Sequence, residues 1–96
     1  MLSEKHKKQL RRLAHERKPV VVIGEAGLKP SIVSAIDEAL DHHELIKIRI
    51  RLGSRRMRDF LIGKVCEQSG CELVQRIGFV ATLYRRNETE TVIDLS

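Results

Sequence analysis

In the segment Ile46-Lys47-Ile48-Arg49-Ile50-Arg51-Leu52, apolar and basic residues alternate without a break. A β-strand repeats every two residues, so Lys47, Arg49 and Arg51 share one face and the apolar residues share the other. Same-face side chains stand about 7 Å apart, which roughly suits phosphates along an extended nucleic acid strand. The competing reading is a sheet face turned to water, its long cations discouraging unwanted strand pairing. Arg76 and Arg85, in later strand-like runs, could widen such a basic face.

Three further groups of residues point to an anionic partner. Gly24-Glu25-Ala26-Gly27 lies between a β-branched run and a helix start. Glycines there let backbone amides approach a phosphate, and a helix N-terminus adds partial positive charge. A tight turn needing positive φ explains the same residues; Glu25 counts against phosphate contact and Lys29 counts for it. Arg55, Arg56 and Arg58 occupy a helical first turn, where the macrodipole favours acids, so an anion would relieve the mismatch. The N-terminal segment carries Lys5, Lys7, Lys8, Arg11 and Arg12, then Arg17 and Lys18, opposed only by Glu4 and Glu16. Part of that charge is the wet side of an amphipathic helix, but its single sign suits a polyanion.

Little in the chain supports catalysis. His6, His15, His42 and His43 fall in no metal-ligand pattern, and there is no nucleophile elbow or phosphate-binding P-loop. His42 and His43 end a helix, where they complement its dipole, and Asp37, Glu38 and Asp41 read as solvated acids. Cys66 and Cys71 are too few for a zinc site and read as reduced thiols packed as small hydrophobes. A non-enzymatic protein with no cofactor, metal or small-molecule substrate is expected.

The elements that must hold these residues follow from patterning. Ninety-six residues make one domain, and 42% hydrophobic with 32% charged residues is an ordinary globular balance. Phe60, Phe79 and Tyr84 are the only aromatics, so the core must be aliphatic and stacking platforms are few. The net charge of +5 fits RNA, DNA or an anionic membrane. No apolar stretch approaches the roughly 20 residues of a membrane span. The charged start, from Glu4 onward, lacks a signal-peptide pattern, so no membrane partner and a cytoplasmic location are expected.

A helix is expected over 3–17, capped by Ser3, with Leu10, Leu13 and Ala14 inward and Pro19 ending it. Val20 to Ile23 form a strand. A helix from Pro30 to about His42 turns Ile32, Ala35, Ile36, Ala39 and Leu40 inward. After the strand at 46–52, Ser54 caps a helix to Ser69 with Met57, Phe60, Leu61 and Val65 buried, and Gly70 stops it. Strands at 72–77 and 79–85 flank a bulge or tight turn near Ile77-Gly78. The fold class is α+β, ordered α-β-α-β-α-β-β. Helices cover one face of a four-stranded mixed sheet, and the first two strands are parallel through a right-handed crossover. The domain spans 1–86, with a polar tail over 87–96.

These residues also resemble a known family. Leu13-Ala14-His15, Lys18-Pro19-Val20-Val21, Ile23-Gly24 through Gly27-Leu28, His43-Glu44-Leu45-Ile46-Lys47, Val74-Gln75 with Ile77-Gly78, and Leu83-Tyr84-Arg85 look like the YhbY-type CRM (chloroplast RNA splicing and ribosome maturation) domain over residues 2–86. The resemblance implies a fold similar to the C-terminal domain of bacterial translation initiation factor 3. It also implies RNA binding and, for stand-alone members, association with ribosomal RNA in precursors of the large (50S) subunit. Gly24 and Gly27 match the family's GxxG loop, Lys47 its basic strand and Arg85 the arginine after Leu-Tyr. Two departures stand out. Phe79 replaces a commonly basic residue, and Arg55, Arg56 and Arg58 stand where several members are acidic.

The expected RNA contacts are therefore Lys5, Lys8, Arg12, Lys18, Gly24, Gly27, Lys29, Lys47, Arg49, Arg51, Arg55, Arg56 and Arg85, with Tyr84 either stacking on a base or packed in the sheet. The alternatives are a module docking on acidic ribosome-associated proteins, and an architectural DNA binder.

Overall fold

A computed structural model describes residues 2–95. Ser3 caps α1 (Glu4–Ala14), its hydroxyl accepting from the His6 amide at 3.1 Å. The helix stops at Ala14, short of the expected 17, because the chain turns there and the Arg17 N–H donates to the Ala14 carbonyl at 3.0 Å. β1 (Pro19–Ile23) is the β-branched run, and α2 (Pro30–His43) opens on the proline whose missing N–H has no partner to lose in a first turn. β2 (Leu45–Ile50) is the alternating strand. α3 (Arg55–Ser69) is capped by Ser54 and ends at Gly70, whose φ of 66° is the left-handed geometry glycine tolerates. β3 (Glu72–Ile77) and β4 (Val80–Tyr84) are joined by the two-residue turn Gly78-Phe79.

The strands lie in the order β1-β2-β4-β3, with β1 and β2 parallel and the other pairs antiparallel. The expected element order and mixed sheet are both present. The strand order, which periodicity left open, puts β2 inside the sheet between β1 and β4. Ile77 pairs with Val80, so the tight turn expected near Gly78 is there, and β3 carries a bulge between Leu73 and Gln75.

The two faces of the sheet carry separate cores. Ile46, Ile48 and Ile50 pack with Val21, Ile23, Ala81 and Leu83 beneath α2 and α3, which supply Ile36, Leu40, Ile62 and Val65. Leu45, one residue out of phase, points the other way and packs with Leu10, Ala14, Val74, Tyr84 and Ile93. Hence α2 and α3 cover one face, and α1 crosses one end of the opposite face. This corrects the expectation that all three helices share a face. Leu45 and Tyr84 are register partners, and together they make an apolar patch at one end of the face that carries Lys47 and Arg49. The narrow Leu10/Ala14 stripe of α1 covers that patch, leaving Leu13 exposed.

Two other expectations need correction. In α3 the buried residues are Ile62, Val65 and Ser69, with Leu61 partly buried, while Met57 and Phe60 are exposed. The helix is rotated so that Ile62, not Phe60, meets the sheet. The expected boundary at 86 is not a boundary in packing, because residues 87–93 fold back onto Glu44. This residue is fully buried at a φ of 61°, unusual for a side chain with a Cβ. Its carboxylate accepts from the amides of Asn87 at 2.6 Å, Val92 at 2.8 Å and Ile93 at 2.6 Å. Ile93 thereby joins the core under α1.

Removing the carboxylate leaves those three amides without their acceptor, so Glu44→Ala should lower unfolding free energy by about 2–4 kcal/mol. Chemical denaturation with hydrogen exchange checks this: protection should be lost first at Val92 and Ile93. An unchanged midpoint with the two amides still protected would refute the clamp.

Candidate nucleic-acid interface

On the sheet face shared with α1, the alternation in β2 turns Lys47 and Arg49 outward, and the register sets Thr82 and Val80 of β4 beside them. Gln75 and Ile77 of β3 follow on the same face, paired with Thr82 and Val80. Pro19, Lys47, Arg49, Gln75, Ile77, Val80 and Thr82 line one open groove. On β1 the outward residues Val20 and Val22 are about half exposed, so the rest of this face is bare.

Gln75 also lines the neighbouring concavity of α1, with Lys8, Arg11, Arg12 and His15; Glu16 is its single acid. Lys5, Lys8 and Arg12 fall on one side of α1, opposite Leu10 and Ala14, as helical spacing requires. Lys18 and Arg17 meet Lys47 around a third hollow that includes Pro19, Val20 and His43. Arg17 is fixed there by a hydrogen bond from its guanidinium to the Leu45 carbonyl. At the other end, Arg49 and Arg51 share a groove with Leu52, Gly53 and Phe79. Lys8, Arg11 and Arg12 of α1, Arg17 and Lys18 of the α1–β1 link, and Lys47 and Arg49 of β2 with Arg51 just beyond it therefore line adjoining hollows that form a belt, while Lys5 lines none of these.

β2 ends at Ile50, before the expected 52, but the Arg51 N–H still donates to the Ile23 carbonyl at 2.8 Å. That bond brings the Gly24–Gly27 loop beside Arg51. The Gly27 N–H donates to the Gly24 carbonyl at 2.9 Å, and Gly27 adopts a φ of +72°. A tight turn thus accounts for Gly27 but not for Gly24, which has no positive φ and open space where a Cβ would stand, and it holds the loop at the end of the sheet where β1 and β2 finish. Lys29 is exposed at the N-cap of α2 with no side-chain capping bond. Arg55 and Arg56 are exposed at the start of α3, beyond the same sheet end.

Arg85 lies apart from the belt. It follows Tyr84, so parity turns it to the α2–α3 side, where it contacts the carboxylates of Asp37 at 2.6 Å and Asp41 at 2.7 Å. It also donates to the Ser69 carbonyl at 2.8 Å. Burial works against its charge, but the two aspartates outweigh this and hold the guanidinium above its ordinary value. Arg76 likewise points to α3 and pairs with Asp59 at 2.6 Å. Neither arginine widens the basic face, which corrects that expectation. Tyr84 is packed beneath α1, and burial raises its phenol above the usual range, so it offers no stacking surface. Cys66 and Cys71 are free thiols, and a hydrogen bond with Cys66 together with burial pushes the Cys71 thiol up from its ordinary value.

Sequence reasoning missed Gln75 and assigned Arg58, with Arg55 and Arg56, to an anion site at the start of α3. Gln75 joins the two halves of the belt, and the bulge that positions it left no mark in the residue pattern. Arg58 is not a surface cation of the α3 cluster. Its guanidinium donates to the Gly53 carbonyl at 2.8 Å and lies 4.4 Å from the centre of the Phe79 ring.

Known proteins share this architecture. A protein named "Probable RNA-binding protein" from Pseudomonas aeruginosa is 40% identical over 86 residues, covering 90% of this chain and 83% of its own length. One named "RNA-binding protein" from Haemophilus influenzae is 38% identical, with 91% and 88% covered. The solution structure of a Staphylococcus aureus protein, described as a candidate RNA binder, matches at a TM-score of 0.85 and 33% identity over the full length of both chains. The family model for the CRS1/YhbY (CRM) domain matches residues 2–85. With nearly its whole length matched and its fold shared, the chain belongs to the CRS1/YhbY (CRM) family of RNA-binding domains.

Proposed function

We propose that this protein binds ribosomal RNA in precursors of the large ribosomal subunit, in the cytoplasm, without catalysing a reaction. The observation that carries RNA binding is the segregation of charge across the sheet. Lys8, Arg12, Lys18, Lys47, Arg49 and Arg51 lie along the open face and its rim, while Asp37, Asp41 and Asp59 neutralise Arg85 and Arg76 on the helical side. Such an arrangement concentrates the attraction for a polyanion on the open face and its rim. Among the described residues no helix is long and apolar enough to cross a membrane. The ribosomal assignment is supported by the family resemblance.

In this reading Lys47 and Arg49 contact phosphates near the middle of the belt. Lys5, Lys8, Arg12 and Lys18 extend the grip on one side; Arg51, the Gly24–Gly27 loop, Lys29, Arg55 and Arg56 extend it on the other. Contacts of this kind position RNA rather than read its sequence, so affinity should fall steeply with salt.

Lys47→Glu combined with Arg49→Glu should weaken RNA binding by on the order of 100-fold at physiological salt and flatten the salt dependence, with the fold intact. Filter binding across a salt series, with circular dichroism, measures both; unchanged affinity would mean the open face is not the binding face. Gly27→Asp should also weaken binding. Its Cβ meets no atom within 4 Å, so only the left-handed φ opposes the change. Wild-type affinity in that variant would leave the loop with its turn role alone. Arg85→Ala should lower the melting temperature and leave RNA affinity within about twofold, because its partners are Asp37, Asp41 and Ser69. A large affinity loss in a folded Arg85→Ala protein would return that residue to the interface. RNA crosslinked in growing cells should map to large-subunit precursors, and recovery of messenger or transfer RNA alone would overturn the ribosomal assignment.

A further inference from the structure

Phe79 occupies the turn between β3 and β4 and is 52% exposed; Phe60 on α3 is exposed too, at 59%, so what sets Phe79 apart is its setting rather than its exposure. The turn is held from several directions. Gly78, at a φ of +57°, takes the first central position, as a II′-type hairpin requires. The Phe79 carbonyl accepts from the Ile50 amide at 2.7 Å, which ties the turn to the end of β2. Arg76 donates to the Gly78 carbonyl at 3.0 Å while pairing with Asp59 of α3. Arg58 stacks against the ring at 4.4 Å and is itself anchored on Gly53.

The ring therefore has one side backed by a fixed guanidinium, and it borders the groove it shares with Arg49 and Arg51. An apolar ring left exposed beside two cations, and braced so that little side-chain freedom remains to be lost, suits a flat aromatic ligand carrying negative charge nearby. A nucleotide has that combination, with a base to stack and a phosphate to pair. We propose that Phe79 is a stacking platform for one unpaired nucleobase, whose flanking phosphates lie on Arg49 and Arg51. The inference rests on the RNA-binding reading and sharpens it: the partner is RNA with unpaired residues, since a base inside a duplex cannot reach a ring at the sheet end. The Arg58-backed ring gives the belt a preference for loops, bulges or single strands that phosphate contacts alone cannot supply.

The chain contains no tryptophan, so Phe79→Trp places a single tryptophan at the site, which can be excited apart from Tyr84. Its fluorescence should be quenched by a short single-stranded RNA and by a hairpin with an open loop, and not by a blunt duplex at equal occupancy. Phe60→Trp, exposed on α3, should respond to none of them. Phe79→Ala should lose about tenfold affinity for the unpaired RNAs and less than twofold for the duplex, at an unchanged melting temperature. If Phe79→Ala keeps full affinity for the unpaired RNAs, or loses affinity equally for all three, the platform is refuted while RNA binding stands. If the unaltered protein binds none of the three better than a generic basic peptide, the underlying reading fails and this inference goes with it.

Discussion

Strand β2 lies inside the sheet, and its alternate side chains cannot share a face; most of the molecule follows from that constraint. Ile46, Ile48 and Ile50 need a dry side, and α2 and α3 supply it. Lys47 and Arg49 need a wet one, so no helix can cover the middle of the opposite face. Along β2 that face turns apolar at Leu45, and there α1 docks, while Val20, Val22, Ile77 and Val80 of the flanking strands stay uncovered by a helix. A one-residue slip of β2 would bury the cations and expose the isoleucines, so packing and the basic surface are enforced by the same register. Basic surface and core are two sides of one strand.

The remaining charged residues fit this division. Asp37, Asp41 and Asp59 engage Arg85 and Arg76 on the helical side, which takes two cations out of play for an external anion. Glu44 performs a different task, gathering three amides of the returning C-terminal segment and seating Ile93 under α1. That segment thereby helps hold α1, and α1 carries Lys8, Arg11 and Arg12 to the edge of the groove. The basic belt thus depends partly on a buried acid that never faces it.

Much of this was legible in the residues. Strict alternation in 46–52 orients Lys47 and Arg49 correctly, because period two needs no tertiary information. Ser3, Ser54, Pro30 and Gly70 mark helix ends through local chemistry, and the structure places them accordingly. What was not legible depends on long-range packing. The side on which α1 lies is decided by the Leu45–Tyr84 pairing, which requires the strand order. The rotation of α3 is set by Ile62 meeting the sheet, although Phe60 is as apolar in the sequence. Arg85 reads as one more cation in a basic chain until α2 is seen to bring Asp37 and Asp41 to it. Its parity with Tyr84 was the available signal, since a buried tyrosine on the α1 side turns the next residue away.

The central claim is that RNA sits on the open sheet face and its rim. Backbone amide chemical shifts recorded while a hairpin RNA with an open loop is titrated into isotopically labelled protein test this most directly. Shifts are expected to concentrate at Lys8, Arg12, Lys18, Lys47, Arg49, Arg51, Gln75 and Phe79 and to extend to Gly27, Lys29, Arg55 and Arg56, with the outer surfaces of α2 and α3 around Asp37, Phe60 and Lys64 unchanged. Shifts centred on α2 and α3, with Lys47 and Arg49 unmoved at saturation, would contradict it.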